Sequence, residues 1–156
     1  MPSDRLGFEL PLLLLGAFRT LIDDLHAELA DSGHPDARPA HGFALQAIGP
    51  DGVSVTELGR RLGVSKQAAA KTTAALVDLG YAAREADPAD RRALLVRRTA
   101  RGEDLLARSA ASFERQHENL VAVLGARRVR QLEDDLETLA GDARLARLTD
   151  IAGWLG

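Results

Sequence analysis

The stretch Ser54-Val55-Thr56-Glu57-Leu58-Gly59-Arg60-Arg61-Leu62-Gly63-Val64-Ser65-Lys66-Gln67 decides the fold of this 156-residue chain. Ser54 and Glu57 have the spacing of a capping box, in which the serine accepts from the glutamate amide and the glutamate side chain reaches back. A helix is therefore predicted to begin there. Gly63 is suited to end it, and Ser65 is suited to cap the next helix. Two helices joined by so short a turn form a helix-turn-helix.

The second helix of this pair is predicted over Lys66–Leu79, ending before Gly80. Its predicted inward face consists of Ala69, Thr72, Leu76 and Leu79. The outward residues near its start are small, polar or cationic: Ser65, Lys66, Gln67, Ala70, Lys71 and Ala74. In a major groove, glutamine can pair with adenine, lysine with guanine or phosphate, and alanine with a thymine methyl. Helix propensity alone also explains an alanine-rich helix, so both interpretations stay open.

Two short strands are predicted after this helix, at 81–86 and 94–99, joined by the polar loop 87–92. The hairpin would carry Arg91 and Arg92 at an exposed tip, where an arginine can enter a narrow minor groove. Asp90 is expected to accept a hydrogen bond from Arg92 and to orient its guanidinium.

Other arginines surround this region. Arg60 and Arg61, on the first helix of the pair, are suited to phosphate contacts or to a solvated surface. The arginines on the strands are expected only to add to the positive charge of the region: Arg84, Arg97 and Arg98.

The flanking segments are predicted to be helical. Phe8–Leu29 has apolar residues at helical steps, a loop is predicted over 31–41, and Phe43–Ile48 forms a short helix. Thr99 is predicted to cap a long helix, and another helix follows Gly125. The first helix carries two apolar rows, more than one core needs, so it is predicted to pack against a second chain.

The charge distribution supports a polyanionic partner. Residues 54–101 hold ten basic and five acidic residues, a net charge of +5, whereas the rest holds ten basic and eighteen acidic residues, a net charge of −8. A basic segment inside an acidic chain is the footprint expected of a nucleic-acid contact, although a solvated charged face has the same composition.

Several classes of function are excluded by what the sequence lacks. There is no cysteine, which removes disulfides, thiolate metal sites and thiol switches. No phosphate-binding loop or nucleophile motif occurs, so no enzyme activity is expected. The four histidines have no metal-ligand spacing, and no metal or cofactor is expected. No apolar run is long enough for a membrane span, and a cytoplasmic protein is expected.

The chain resembles the MarR-type winged helix-turn-helix transcriptional regulators. The resemblance runs through the quoted stretch, then Leu76-Val77-Asp78-Leu79-Gly80-Tyr81, the loop Asp87-Pro88-Ala89-Asp90-Arg91-Arg92, and Leu94-Leu95-Val96-Arg97-Arg98-Thr99-Ala100-Arg101-Gly102. It implies a mostly α fold, with 53–100 as the DNA-binding region and with 1–52 and 101–156 forming a dimerisation region in one intertwined domain. Arg92 would then be the minor-groove arginine, with Asp90 as its partner, and recognition-helix contacts would fall on Ser65, Lys66, Gln67, Ala70 and Lys71.

The resemblance also implies a homodimer on an inverted repeat in double-stranded DNA, acting most simply as a repressor relieved by a small aromatic or phenolic effector. His41 and His117 are the candidates to line an effector pocket, although a lone histidine on an apolar stripe is more often a core residue. The alternative is a winged helix used only to bind other proteins, without direct DNA contact.

Overall fold

Six helices and one two-stranded sheet are described within residues 6–141 of the computed structural model. Their order is α1 (Glu9–Asp31), α2 (Pro39–Ile48), α3 (Val55–Leu62), α4 (Lys66–Asp78), β1 (Ala82–Ala86), β2 (Leu94–Arg98), α5 (Ala100–Leu124) and α6 (Ala126–Ala140). The predicted mostly α winged helix-turn-helix fold is confirmed. The sequence also predicts that apolar positions at helical spacing continue from Ala143 to Leu155, and these lie outside the described residues.

The α3–turn–α4 unit forms for the local reasons that the sequence indicated. Ser54 Oγ accepts from the Glu57 amide at 3.2 Å, and Ser65 Oγ accepts from the Ala68 amide at 3.1 Å. Gly63 ends α3 in the left-handed region with φ 64°. That conformation has little penalty only for glycine, so the turn position is specified by the sequence.

Two details of this unit differ from the prediction. The Glu57 side chain does not complete a capping box, because its carboxylate is held by Arg60 and Arg61 instead. On α4 the buried polar residue is Thr73 rather than Thr72. Both threonines lie within about one helical turn of Ala69. The inward face runs through Thr73, which is four residues after Ala69.

The β1–β2 hairpin is antiparallel, with Ala82 paired to Arg98 and Ala86 paired to Leu94. Val96, the central residue of β2, is buried and is also bonded on its other side to Val53, with N–O distances of 2.7 and 3.0 Å. Val53 thus anchors the hairpin to the turn before α3. Leu94 shares the face of Val96 but is 57% exposed, because the hairpin extends beyond the core there.

Helix α2 is longer than predicted, since Pro39–Gly42 is helical rather than part of a loop. Proline fits the first helical position because its fixed φ matches the helix and its missing N–H would have no partner there. The Arg38 amide also donates to His41 Nδ1 at 3.2 Å, which satisfies a backbone group at the helix start.

A buried polar cluster joins three separate parts of the chain. His34, in the α1–α2 connection, lies with Nδ1 3.1 Å from the hydroxyl of Tyr81 and with Nε2 2.8 Å from Oδ2 of Asp104 on α5. Both His34 and Tyr81 are almost fully buried. The pKa of Asp104 is lowered, first by Arg108 and then by His34. The cluster therefore fixes the hairpin start and the α1–α2 connection against α5.

The N-terminal half of α1 is unusually apolar and exposed. Large side chains there and just before the helix are about half exposed or more: Leu6 and Phe8 before it, and Leu10, Leu12, Leu13 and Leu15 within it. By contrast, Leu25 and Leu29 in the second half of the helix are buried. Within residues 6–141 no helix combines the length and hydropathy that crossing a membrane requires.

Candidate nucleic-acid interface

Helix α4 presents the residues expected to face a groove. Ser65, Lys66, Gln67 and Lys71 are exposed at its N-terminal end, whereas Ala70 is half-buried. The Ser65 hydroxyl oxygen accepts from the Ala68 amide. This end of α4 is consequently a surface of two lysines and one glutamine around small side chains.

The hairpin tip is organised by two aspartates that bind backbone amides. Asp87 Oδ1 accepts from the Ala89 amide at 2.8 Å, and Asp90 Oδ1 accepts from the Arg92 amide at 3.0 Å. Asp90 therefore contacts the main chain of Arg92 and not its guanidinium, which corrects the expected interaction. The consequence is a defined tip conformation in which the side chains of Arg91 and Arg92 extend into solvent.

Arg60 and Arg61 share one carboxylate. Arg60 donates Nε and Nη2 to the two Glu57 oxygens at 2.8 and 2.7 Å, and Arg61 donates Nε to Glu57 Oε1 at 3.0 Å. These bonds lower the pKa of Glu57 to about 2, so the carboxylate is ionised at neutral pH. Arg61 also donates Nη1 to the Ala47 carbonyl at 2.8 Å. Arg61 thus joins α3 to α2, and Arg60 is partly neutralised by its neighbour.

The β2 arginines are likewise occupied within the protein. Arg98 donates Nε to the Leu45 carbonyl at 2.7 Å and Nη2 to the Gln46 carbonyl at 3.3 Å, both near the C-terminus of α2. Arg97 Nε lies 3.1 Å from a carboxylate oxygen of Glu85 on β1. A guanidinium at a helix C-terminus interacts favourably with the carbonyls of the last turn, so Arg98 has a structural role.

The remaining cations of the winged helix form a distinct group. On α4 and the hairpin, five of them make no ion pair with an acidic side chain of the described residues and extend from exposed positions: Lys66, Lys71, Arg84, Arg91 and Arg92. We call this group the unpaired cations. They lie on α4 and on the hairpin, the two elements with which a winged helix reaches DNA.

The predicted ligand residues are separated from each other. An apolar cavity of about 240 Å³ lies between α1, the start of α2 and α5, and neither His41 nor His117 lines it. His41 lines a more polar hollow beside the C-terminal end of α4. His117 is exposed on α5, 3.1 Å from Glu133 of α6, so it is not the core residue that the apolar stripe suggested.

Sequence reasoning missed the histidine that does line the cavity, His26. It lies four residues after Ile22 and three before Leu29, so its helical spacing could have revealed an inward position. No group of three or more metal-ligating side chains that could hold a metal ion is found among residues 6–141.

Comparison with known proteins gives both a sequence and a structural similarity. Residues 38–93 match the MarR family. The fold is similar to that of YusO from Bacillus subtilis, with 20% identity, a TM-score of 0.67, and coverage of 90% of this chain and 98% of that chain. It is similar to Mycobacterium tuberculosis MarR family protein Rv2887 in complex with p-aminosalicylic acid, with 28% identity, a TM-score of 0.57, and coverage of 85% and 98%.

A third similar structure is a mutant of MepR from S. aureus bound to an oligodeoxyribonucleotide, with 15% identity, a TM-score of 0.61, and coverage of 86% of this chain and 96% of that chain. No protein with a curated description matches the sequence.

Proposed function

We propose that this chain, which matches the MarR family over its winged-helix region and has the fold of MarR-family structures, is a sequence-specific DNA-binding transcriptional regulator. The observation that carries the proposal is the set of unpaired cations on α4 and the hairpin, while neighbouring arginines are held by carboxylates and carbonyls. Cations that lack a protein partner are available to phosphates, and releasing the counterions of DNA favours such binding.

The proposed contacts divide between the two elements. Lys66, Gln67 and Lys71, with Ser65 and Ala70 beside them, would read base edges in the major groove. Arg91 and Arg92 would enter the adjacent minor groove, and Asp90 would hold the tip that presents them. Arg60 would contact phosphate, while Arg61 would support α3 from inside the protein.

The exposed apolar half of α1 supports a homodimer. A two-fold dimer would read an inverted repeat with half-sites about one helical turn apart, and occupation of such a promoter site would repress transcription. This role would be carried out in the cytoplasm. The apolar cavity supports relief of repression by a small molecule, and the p-aminosalicylic acid complex of Rv2887 supports the same idea.

The test is selection of bound duplexes from a random DNA library near physiological salt. Wild type is expected to enrich an inverted repeat, whereas Arg92→Ala should bind all sequences at least about tenfold more weakly and with a shallower salt dependence. Arg97→Ala is the matched control, because Arg97 lies on the same hairpin but is paired with Glu85. It should bind within about twofold of wild type.

Changes on α4 should act differently from changes on the hairpin. Gln67→Ala and Lys71→Ala are expected to alter which sequences are enriched. Contacts to base edges determine the sequence preference, whereas contacts to phosphates only position the protein on the duplex. If wild type enriches no sequence and shows no salt-dependent retention, direct DNA binding is wrong. The winged helix would then be a protein-interaction module.

A further inference from the structure

A polar hollow of about 450 Å³ lies between the C-terminal end of α4 and the start of α2. Its α4 side is formed by Ala75, Asp78 and Leu79. Its other side is formed by residues 35–38 of the α1–α2 connection and by His41 of α2. The apolar cavity between α1, α2 and α5 shares two of residues 35–38 with this hollow, but neither His41 nor the α4 residues line it. The hollow is therefore a separate space, and its volume is typical of small-molecule sites.

His41 supplies a directed hydrogen-bond donor to this hollow. The residue is only 9% exposed, and its Nδ1 accepts from the Arg38 amide at 3.2 Å. The pKa of His41 is lowered, first by burial and then by Arg38 and His26, which favours the neutral imidazole. Because Nδ1 is the acceptor, the ring proton lies on Nε2. Nε2 has no hydrogen-bond partner among the described residues, so its N–H is available to a ligand.

The three charged side chains of the hollow have signs that do not suit their own helices. Asp36, Arg38 and Asp78 are exposed and form no ion pair within the described residues. Arg38 is the N-cap residue of α2, where an anion would be favoured, and Asp78 is the last residue of α4, where a cation would be favoured. Local conflicts of this kind are expected at functional sites. They make the hollow positive at the start of α2 and negative at the end of α4.

We propose that this hollow binds a free α-amino acid with an apolar side chain. Its carboxylate is bound by Arg38 and the His41 N–H, and its ammonium group is bound by Asp36 and Asp78. The remaining lining residues are apolar and contact the side chain of the ligand: Pro35, Ala37, Ala75 and Leu79. This inference goes beyond the proposed function, because it depends neither on the DNA contacts nor on the apolar cavity.

A ligand with a single charge satisfies only half of the hollow. An anion at Arg38 and His41 leaves the carboxylates of Asp36 and Asp78 without a partner, and an amine leaves the guanidinium and the imidazole N–H without one. A zwitterion matches both ends of the polarised space, so it is favoured over molecules that carry only one of its two charged groups.

The experiment is an NMR titration of the full chain with L-leucine and with three compounds that each lack one part of it. These are 4-methylpentanoate, which has no ammonium group, 3-methylbutylamine, which has no carboxylate, and glycine, which has no apolar side chain. Wild type is expected to bind L-leucine at least about tenfold more tightly than each of the three. The inference is overturned if any of them binds as tightly as L-leucine.

Exchanging one charge at a time identifies which group of the ligand each residue binds. Asp78→Asn should weaken L-leucine binding by at least about tenfold but leave 4-methylpentanoate within about twofold. Arg38→Gln should weaken L-leucine binding by the same factor but leave 3-methylbutylamine within about twofold. Both residues are exposed, so neither change disturbs the core. Asp134→Asn, which removes an exposed carboxylate on α6 outside the hollow, is the control. Normal L-leucine binding by both hollow variants would contradict the site.

Two further variants test the donor and the location. His41→Phe retains a ring but removes the N–H, so it should weaken the two carboxylates with a leucine-like chain and spare 3-methylbutylamine. Gly42→Leu places a side chain in the apolar cavity, where a Cβ meets no atom within 4 Å, and should bind L-leucine normally. Loss of binding in Gly42→Leu would place the ligand in the apolar cavity and overturn the inference. All titrations are made without DNA, so their failure leaves the duplex selection as the separate test of DNA recognition.

Discussion

Glu57 determines how much positive charge α3 offers to solvent. Its one carboxylate accepts from both Arg60 and Arg61, and Arg61 is further bound to α2. Of the two arginines, Arg60 is the more exposed, with 74% of its side chain accessible. Removing the carboxylate would therefore free Arg60 for a phosphate while Arg61 keeps its bond to the Ala47 carbonyl.

We predict that Glu57→Gln strengthens DNA binding by about two- to fivefold and steepens the salt dependence by about one counterion. Fluorescence anisotropy over a series of salt concentrations measures both quantities. Glu103→Gln is the matched control, because it removes an exposed carboxylate that pairs with Arg98 rather than with a cation on α3. An unchanged salt dependence in Glu57→Gln would show that Arg60 lies away from phosphate.

The same carboxylate makes stability depend on pH. In the folded protein the pKa of Glu57 is lowered from 4.5 to about 2, chiefly by hydrogen bonds from Arg60 and then Arg61. A lowered pKa stabilises the fold at pH values above the ordinary one, and this contribution is lost as the pH falls through the folded-state pKa. The excess stability of wild type over Glu57→Gln should therefore stay constant above about pH 5 and shrink between about pH 5 and about pH 2. Urea unfolding of both proteins measures it, and a constant difference would contradict the ion-pair explanation.

The junction between the hairpin and α5 depends on one glycine. A Cβ on Gly102 would lie 2.2 Å from the Tyr81 carbonyl oxygen, which accepts from the Thr99 amide at 3.1 Å. Neither backbone segment can retreat easily, because Tyr81 is held by His34 and Thr99 caps α5. The first turn of α5 and the start of the hairpin are therefore packed backbone to backbone.

We predict that Gly102→Ala lowers the free energy of unfolding by about 3 kcal/mol or more, since overpacking against rigid backbone is poorly relieved. Gly42→Ala is the matched helical control, because its Cβ would meet no atom within 4 Å. It should raise stability by about 0.5–1 kcal/mol through helix propensity. Thermal and urea unfolding measure both changes, and equal effects would contradict the close approach at Gly102.

The elements that the sequence predicts well are those whose signals lie within a few residues. Ser54, Gly63 and Ser65 act on amides and dihedral angles in their own turn, so the α3–α4 unit follows from them directly. On α4 the sequence predicts Thr72 on the inward face and the buried residue is Thr73, a difference of one position, because both threonines lie within one turn of Ala69.

The sequence alone does not predict which arginines bind carbonyls inside the protein, because their partners are distant along the chain. Arg61 binds a carbonyl 14 residues away, and Arg98 binds one 53 residues away. In the composition both arginines count as free positive charge, whereas in the fold their guanidinium groups donate to carbonyls at the C-terminus of α2. Only the tertiary arrangement distinguishes these two arginines from the unpaired cations. The cavity lined by His26 is likewise formed by residues far apart in the sequence, on α1, α2 and α5.

The whole molecule leaves a large apolar surface on α1, and α6 adds Leu132, Leu136 and Leu139, which are also exposed. Contiguous apolar surfaces of this kind mark interfaces in soluble proteins. The buried part of α1 is already packed against α5, so its exposed part is available for the dimer interface proposed above. On an inverted repeat such a dimer would place one hairpin and one α4 on each half-site, and binding of one half would raise the effective concentration of the other.

We predict that Leu12→Glu converts the protein to a monomer at micromolar concentration and weakens binding to the inverted repeat by at least about a hundredfold, because the two half-sites are no longer linked. Leu12 is 60% exposed, so the substitution leaves the core of each chain intact. Ala27→Glu, at an exposed position in the second half of the same helix, should remain dimeric. Sedimentation velocity measures the oligomeric state. Fluorescence anisotropy with the full repeat and with a single half-site measures how much affinity is gained by binding both half-sites at once. A Leu12→Glu dimer, or a monomer that still binds the full repeat normally, would contradict this assembly.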